Sequence, residues 1–232
     1  MTMTIEDLRG LIRSGGIVPD DKDSICTGTI CDSNGNTKGY ELYEGWDPIR
    51  ADECDLKWGE FNFNLIKFIS EQDYSKEELA KIQDYIQLDD DHWDWLKKSY
   101  CFRDSQYKFF FMYADGKPQA ACIIYHPKES ALGGRQIYYI EYLAAAPWNR
   151  KNPMRRDFTG IGKITLKSVH QYCDSLGWEA GFSLHALPKA EAFYTHIGMS
   201  HFENHDKQAT DSITLKYFEM LEEPAKQFFG EI

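Results

Sequence analysis

The 232-residue sequence predicts an α/β fold, a mixed sheet flanked by helices. Three observations carry that reading. From Lys57 to Ser99 apolar residues recur at helical spacing. From Tyr107 to Ala146 three apolar and aromatic runs are separated by turn signals. After Gly160 helical and strand patterns alternate.

Taken in order, the first 50 residues are loosely punctuated by Gly, Asp and Asn. Within them SICTGTI and KGYELYE flank the turn-rich DSNGN, which reads as a β-hairpin. Phe61, Leu65, Phe68 and Ile69 then mark one face of a helix, and Ser75 with Glu78 has the spacing of a capping box at the start of the next. DDDHWDWLKKSY predicts a third helix, acidic at its start and basic at its end, as the helix dipole favours. Its aromatic residues read as packing anchors and its aspartates as a solvated helix start rather than a metal site. YKFFFMYA and QAACIIYH, joined through DGKP, form an antiparallel hairpin, and RQIYYIEYLAAA follows Gly133-Gly134 as a third strand. GIG opens a helix whose stripe is Leu166, Val169, Cys173 and Leu176, with Gly177 as its stop. EAGFSLHAL is a short strand, PKAEAFYTHIG a short helix with proline in its first turn, and MSHFENH and SITLKYFEM the last two strands.

Composition narrows the function. The chain is 42% hydrophobic and 15% aromatic, enough for a sizeable core and unlike a disordered segment. A net charge of −11 disfavours binding to phosphate backbones and suits cationic substrates such as amines. The N-terminal MTMTIEDLRG lacks the apolar run of a signal peptide, and no stretch approaches the roughly 20 apolar residues that span a bilayer, so the expectation is a cytoplasmic, soluble protein. The six cysteines (Cys26, Cys31, Cys54, Cys101, Cys122 and Cys173) form no CxxC pair. They read as free thiols in a reducing compartment, and no metal site is expected.

The chemistry concentrates between Glu141 and Met199. A basic loop, NRKNPMRRDFT, feeds Gly160 and Gly162 at a helix start. Glycines there remove side chains where an anion would approach, and first-turn N–H groups point at it. A tight turn with close packing is the competing reading of the glycines, and a solvated loop that of the cations. Arg150, Lys151, Arg155, Arg156, Lys163 and Lys167 gather around this point of a strongly acidic chain, and a site for several phosphates accounts for both features together.

The stretch IEYLAAAPWNR…TGIGKITLKSVHQYCDSLGW…LHALPKAEAFYTHIGM resembles the cofactor core of GNAT-type N-acetyltransferases, and the resemblance extends over about 107–220. It implies an acetyl-CoA cofactor. A strand would hold the acetyl and pantetheine arm, with a backbone N–H of Leu143 or Ala144 donating to the reacting carbonyl oxygen. The family's Q/R-x-x-G-x-G/A loop falls on Asp157 to Gly162. The resemblance therefore assigns the pyrophosphate to Arg155, Arg156, Thr159, Gly160, Ile161, Gly162 and Lys163. Glu141 matches a position where many members carry a glutamate base. It alternates with Tyr139 and Leu143 on one strand face. Its competing reading is an edge-of-sheet glutamate paired with an arginine. Phe193-Tyr194…Gly198-Met199 matches the family's Y-x-x-x-G-F/M motif, making Tyr194 the proton donor to the departing thiolate. Its competing reading is a core tyrosine. Two positions depart from the pattern: Asp157 stands where Gln or Arg is usual, and Leu187 where many members have Asn. The Pro147–Gly160 loop is also longer than usual.

The expected activity is direct acetyl transfer to a primary amine, on a small molecule or on a peptide or protein lysine. The expected organisation is an N-terminal extension over 1–55 and an acetyltransferase domain over 56–232 whose cofactor core is 136–200. The alternatives are a catalytically inactive acyl-CoA-binding regulator and an aminoacyl-tRNA-acetylating toxin, the latter opposed by the chain's charge. His170, His185, His196 and His201 lack an evident Ser or Cys nucleophile and read as surface or packing residues, and Cys122 and Cys173 as core. Asp89, Asp90, Asp91 and Asp94 form the densest acidic group, with two readings: steering of cationic acceptors, or helix capping and solubility.

Overall fold

An acidic side chain before a proline starts the longest helix. Asp47 accepts from the N–H groups of Ile49 and Arg50, and Pro48 occupies the first helical position, where its missing donor costs nothing. The computed structural model describes residues 3–19, 22–211 and 213–230. Its helices are α1 (Ile5–Arg13), α2 (Pro48–Ser70), α3 (Lys76–Tyr85), α4 (Trp95–Cys101), α5 (Ile161–Ser175), α6 (Glu191–His196) and α7 (Glu222–Gly230). Its strands are β1 (Cys26–Cys31), β2 (Thr37–Glu44), β3 (Tyr107–Ala114), β4 (Lys117–Glu129), β5 (Gln136–Ala145), β6 (Phe182–Ala186), β7 (Ser200–His201), β8 (Lys207–Thr210) and β9 (Ile213–Met220). Ser212, expected as the first residue of the last strand, lies outside the described residues. α2 runs unbroken through the boundary expected between 55 and 56. Among the described residues no helix is long and apolar enough to cross a membrane.

The chain divides into two units. The first comprises Met1–Asp104, Phe109–Ala121 and Ala144–Ile164. Its strands lie in the order β1-β2-β3-β4. The β1–β2 hairpin expected at DSNGN is present, pairing Cys31 with Thr37, and β2 pairs with β3 from Glu41↔Tyr113 to Glu44↔Phe110. At the β3–β4 turn Asp115 and Gly116 both have positive φ (50° and 67°), the conformation an Asp-Gly hairpin turn requires. Leu65 of α2 packs on Ile82 and Ile86, with Phe61 and Ile69 against that cluster. The capping box of Ser75 and Glu78 forms as its spacing predicts. The helix expected from Asp89 begins only at Trp95. The reason lies in the caps: Asp94 accepts from the Lys97 N–H at 2.7 Å, and Asp55, from α2, accepts from Trp95 and Leu96 at 2.7 and 3.0 Å. The aspartates at 89–91 lie in the turn before it. α1 had no counterpart in the sequence reading. Arg9 and Arg13 tie it to the buried carboxylate of Asp52 at 3.1–3.2 Å.

The second unit comprises Ser105–Lys108, Cys122–Leu143 and Thr165–Ile232. Its order is β4-β5-β6-β9-β7, with β8 on β9. β5 and β6 are parallel, whereas β9 runs antiparallel to β6, β7 and β8, so the sheet is mixed as expected. Leu166, Val169 and Cys173 of α5 are buried, but Leu176, expected on the same stripe, is 46% exposed. It sits at the helix end, where Gly177 turns left-handed (φ 74°). There the Gly177 and Trp178 N–H groups bond back to Asp174 and Cys173, a Schellman closure. MSHFENH contributes only the two residues of β7. The short strand β8 and helix α7 were not expected.

His170 of α5 gives this unit a pH dependence. Its ring stacks on Phe229 of α7 with centroids 3.5 Å apart, and its Nδ1 is buried without a hydrogen-bond partner. Burial lowers its pKa to about 4, opposed by Asp174. The unfolded chain takes up the proton near pH 6.5 and the folded chain does not. Stability should therefore be full above about pH 6.5, fall as the pH drops towards 4, and level off below it, with a loss of at most about 3 kcal/mol. Urea unfolding at pH 7 and pH 4.5 should show a smaller acid loss in His170→Phe. An unchanged acid loss would mean that other groups cause it. His126 and His185, whose pKa values burial also lowers, add to the acid loss, whereas Asp55, whose pKa burial raises to about 7, opposes it.

Candidate functional site

The long loop after β5 is held at its base by buried amides. The Gln119 side chain, with no exposed surface, accepts from Trp148 Nε1 and from Asn149 Nδ2, both at 2.8 Å, and donates to the Ala114 carbonyl. Asn149 Oδ1 in turn accepts from the Phe158 N–H at 3.0 Å. One chain of amides thereby ties both ends of the loop to β4. Sequence reading passed over Gln119, although a glutamine within an apolar strand run is a signal, because a buried amide needs partners.

The cations of the loop separate into different roles. Arg150 donates to the carbonyls of Ala145 and Gln87 and forms a two-pronged pair with Asp90, so its guanidinium is committed to the protein. Arg155 donates from Nε to Ser33 Oγ at 2.8 Å and from its second prong to Asn34 Oδ1, both in the β1–β2 turn. Lys151 lies over the Tyr85 ring at 4.9 Å. Arg156, Thr159 and Lys163 are exposed.

Gly160 adopts φ 75°, and a Cβ built on it would meet nothing within 4 Å. Its carbonyl accepts the first helical bond of α5, from Ile164 at 3.0 Å, and Ile161 is buried beside it. The glycine therefore marks a left-handed start to the helix with open space over its backbone. A helix's first turn leaves N–H groups without intrahelical acceptors, and its dipole favours an anion there. Gly162 is half-buried in that first turn.

In the second unit the parallel pair β5–β6 keeps register at Tyr138↔Phe182, Tyr139↔Ser183 and Ile140↔Leu184, and pairs no further although both strands continue. Glu141 is the next residue on β5. It is half-buried and shares the Tyr139–Leu143 face. Tyr194, 7% exposed, stands 6.2 Å ring to ring from Phe218. Phe218 pairs with Leu184, which pairs with Ile140. Cross-strand partners share a face, so Tyr194 lies on the opposite face of the sheet from Glu141. Leu143 is half-buried, and Ala144 is buried.

His185 lies on the face of Glu141. Its Nε2 is 2.9 Å from the His205 carbonyl, which only accepts, so Nε2 carries the proton and Nδ1 accepts from the Tyr139 hydroxyl at 2.6 Å. Burial lowers its pKa, which holds the ring neutral. Sequence reading set this histidine aside because no nucleophile accompanies it. Its tyrosine partner is visible only once β5 and β6 pair.

The acidic group expected over 89–94 is largely engaged. Asp90 pairs with Arg150, and Asp94 caps α4 and pairs with Arg9 at 3.0 Å. Around it lies a cavity of about 200 Å³ whose lining includes Trp58, Trp93, Trp95, Asp55 and Asp91. Burial pushes the Asp55 carboxyl up to about 7, against the pull of the two N–H groups it caps. All six cysteines are free thiols, and among the described residues no group of three or more His, Cys, Asp or Glu side chains is placed to hold a metal.

No family model and no curated protein matches the chain. Among solved structures, an uncharacterized protein from Bacillus halodurans matches at TM-score 0.51 and 11% identity, over 90% of this chain and 97% of that one. A putative GNAT-family acetyltransferase from Desulfovibrio desulfuricans aligns at TM-score 0.42 and 17% identity, over 79% of this chain and 98% of its own. FeeM, an N-acyl amino acid synthase from uncultured soil microbes, aligns at TM-score 0.49 and 10% identity, over 82% and 94%. At such identities the first of these likenesses is one of fold.

Proposed function

We propose that this chain is a GNAT-type N-acetyltransferase that moves an acetyl group from acetyl-CoA to a primary amine. The observation that carries the reading is the parting of β5 and β6 after Ile140 and Leu184, with a carboxylate at the next position of β5 and a buried phenol on the opposite face. An extended ligand such as a pantetheine arm carries amides that can pair with strand backbone groups. The left-handed, open Gly160 at the start of α5 fits a phosphate.

On this reading acetyl-CoA supplies the activated thioester acetyl. Thr159, Gly160, Ile161, Gly162 and Lys163, with Arg156, hold its phosphates, and the N–H of Leu143 or Ala144 donates to the thioester oxygen. Glu141 takes a proton from the incoming ammonium, directly or through one water, so that the nitrogen lone pair can form the new C–N bond. As the C–S bond breaks, Tyr194 donates its hydroxyl proton to the sulfur. The six unpaired cysteines suit a cytoplasmic setting. The test is amine-dependent release of the CoA thiol across a panel of small amines, peptides and aminoglycosides. Release only with an amine supports transfer. Tight CoA binding without release by any amine would instead indicate the acyl-CoA-binding regulator.

A further inference from the structure

We infer that the tip of the β1–β2 hairpin is a positioning element for the candidate phosphate loop, acting through Ser33 and Asn34. The inference rests on the reading of that loop given above.

The hairpin tip is closed by its own hydrogen bonds. The Asp32 carboxylate accepts from the N–H groups of Asn34 and Asn36, both at 2.8 Å, and from Asn36 Nδ2 at 3.0 Å, while Gly35 takes φ 83° to close a three-residue turn. That tip grips the segment Arg155–Phe158 along its length. The Ser33 N–H donates to the Asp157 carbonyl at 2.9 Å, and Asp32 and Phe158 form an antiparallel bridge. The Arg155 guanidinium reaches both Ser33 Oγ and Asn34 Oδ1. From the other side the Asp157 N–H bonds to the Trp148 carbonyl at 3.2 Å, and the Phe158 N–H to Asn149. Asp157 is thus clamped through its backbone two residues before the pair Thr159-Gly160.

Two consequences follow. An aspartate at a position where the family pattern has Gln or Arg is tolerated, because its backbone does the work and its side chain need not meet phosphate. Arg155, assigned to phosphate by the resemblance, becomes a latch, and Arg156 and Lys163 remain as the cationic ligands.

The test compares R155A with S33A/N34A, and both with the triple variant, by calorimetry with CoA. A latch predicts that each weakens CoA about tenfold, the scale of one or two lost charge-assisted hydrogen bonds. It also predicts that the triple variant is no worse, since both ends of one interaction have been removed. The loss should be much smaller for the KM of S-acetyl-pantetheine, which lacks the pyrophosphate, and Ser33→Thr should restore affinity. A phosphate ligand predicts the opposite pattern: R155A weakens CoA while S33A/N34A does not, and that result overturns the inference. Hydrogen exchange keeps the two readings separate. If the wild-type protein binds no CoA, the function proposed above fails, yet faster exchange at 155–163 in S33A/N34A would still report the latch. Unchanged exchange there would sink it.

Discussion

Replacing Glu141 with glutamine should lower kcat by roughly 10²-fold or more, the range expected when a positioned base is lost. Glutamine keeps the size and the hydrogen-bonding shape of the side chain but cannot take a proton. The defect should therefore lie in turnover, with CoA affinity nearly unchanged. It should ease at high pH, where more of the amine arrives already deprotonated. Tyr194→Phe should also depress kcat, since it removes the donor to sulfur and keeps the ring packed on Phe218. Because the two side chains stand on opposite faces of the sheet, their roles are separable: only the glutamine variant should recover with rising pH. Full activity of Glu141→Gln at neutral pH would assign proton removal to another group, and His185, held neutral on the same face, would be the first to examine.

Gly160→Asp should abolish measurable CoA binding while leaving the fold intact. At φ 75° most side chains are strained, but aspartate is among the few that tolerate this region. A Cβ there would meet no atom within 4 Å, so the protein has room for it. What the carboxylate would occupy is the space assigned to phosphate, adding bulk and like charge. Gly162→Asp is a companion variant, because an acidic residue in the first turn favours the helix itself. Calorimetry against CoA, with thermal melts to verify folding, checks both. Unchanged affinity in two folded variants would remove the loop from any cofactor site.

Much of this architecture is written locally. Ser75 with Glu78, Asp115-Gly116, DSNGN and the Gly177 stop are each decided by residues within a few positions, and each appears where its spacing places it. The misreadings share a different cause. α4 starts where it does because Asp55, 40 residues earlier in the chain, supplies a carboxylate to its first N–H groups. α1 is the exception: Ile5, Leu8 and Ile12 at helical spacing and the Thr4–Asp7 capping box are local signals that the sequence reading overlooked, and two arginines secure the helix on one buried aspartate. The same limit governs the candidate site. A run of arginines shows charge but not partners, so Arg150 and Arg155 read alike in the sequence. Folding sends one to Asp90 and the other to Ser33 and Asn34. Gln119 and His185 were passed over for the same reason, since their meaning lies in Asn149 and Tyr139.

The most direct test of the central claim is to supply acetyl-CoA bearing a deuterated acetyl group together with an amine panel, and to follow the products by mass spectrometry. Direct transfer predicts an N-acetylated amine that carries the full deuterium label, formed in step with free CoA and roughly 10²-fold more slowly in Glu141→Gln. Absence of labelled product from every amine, with CoA nonetheless bound by the wild-type protein, would contradict it.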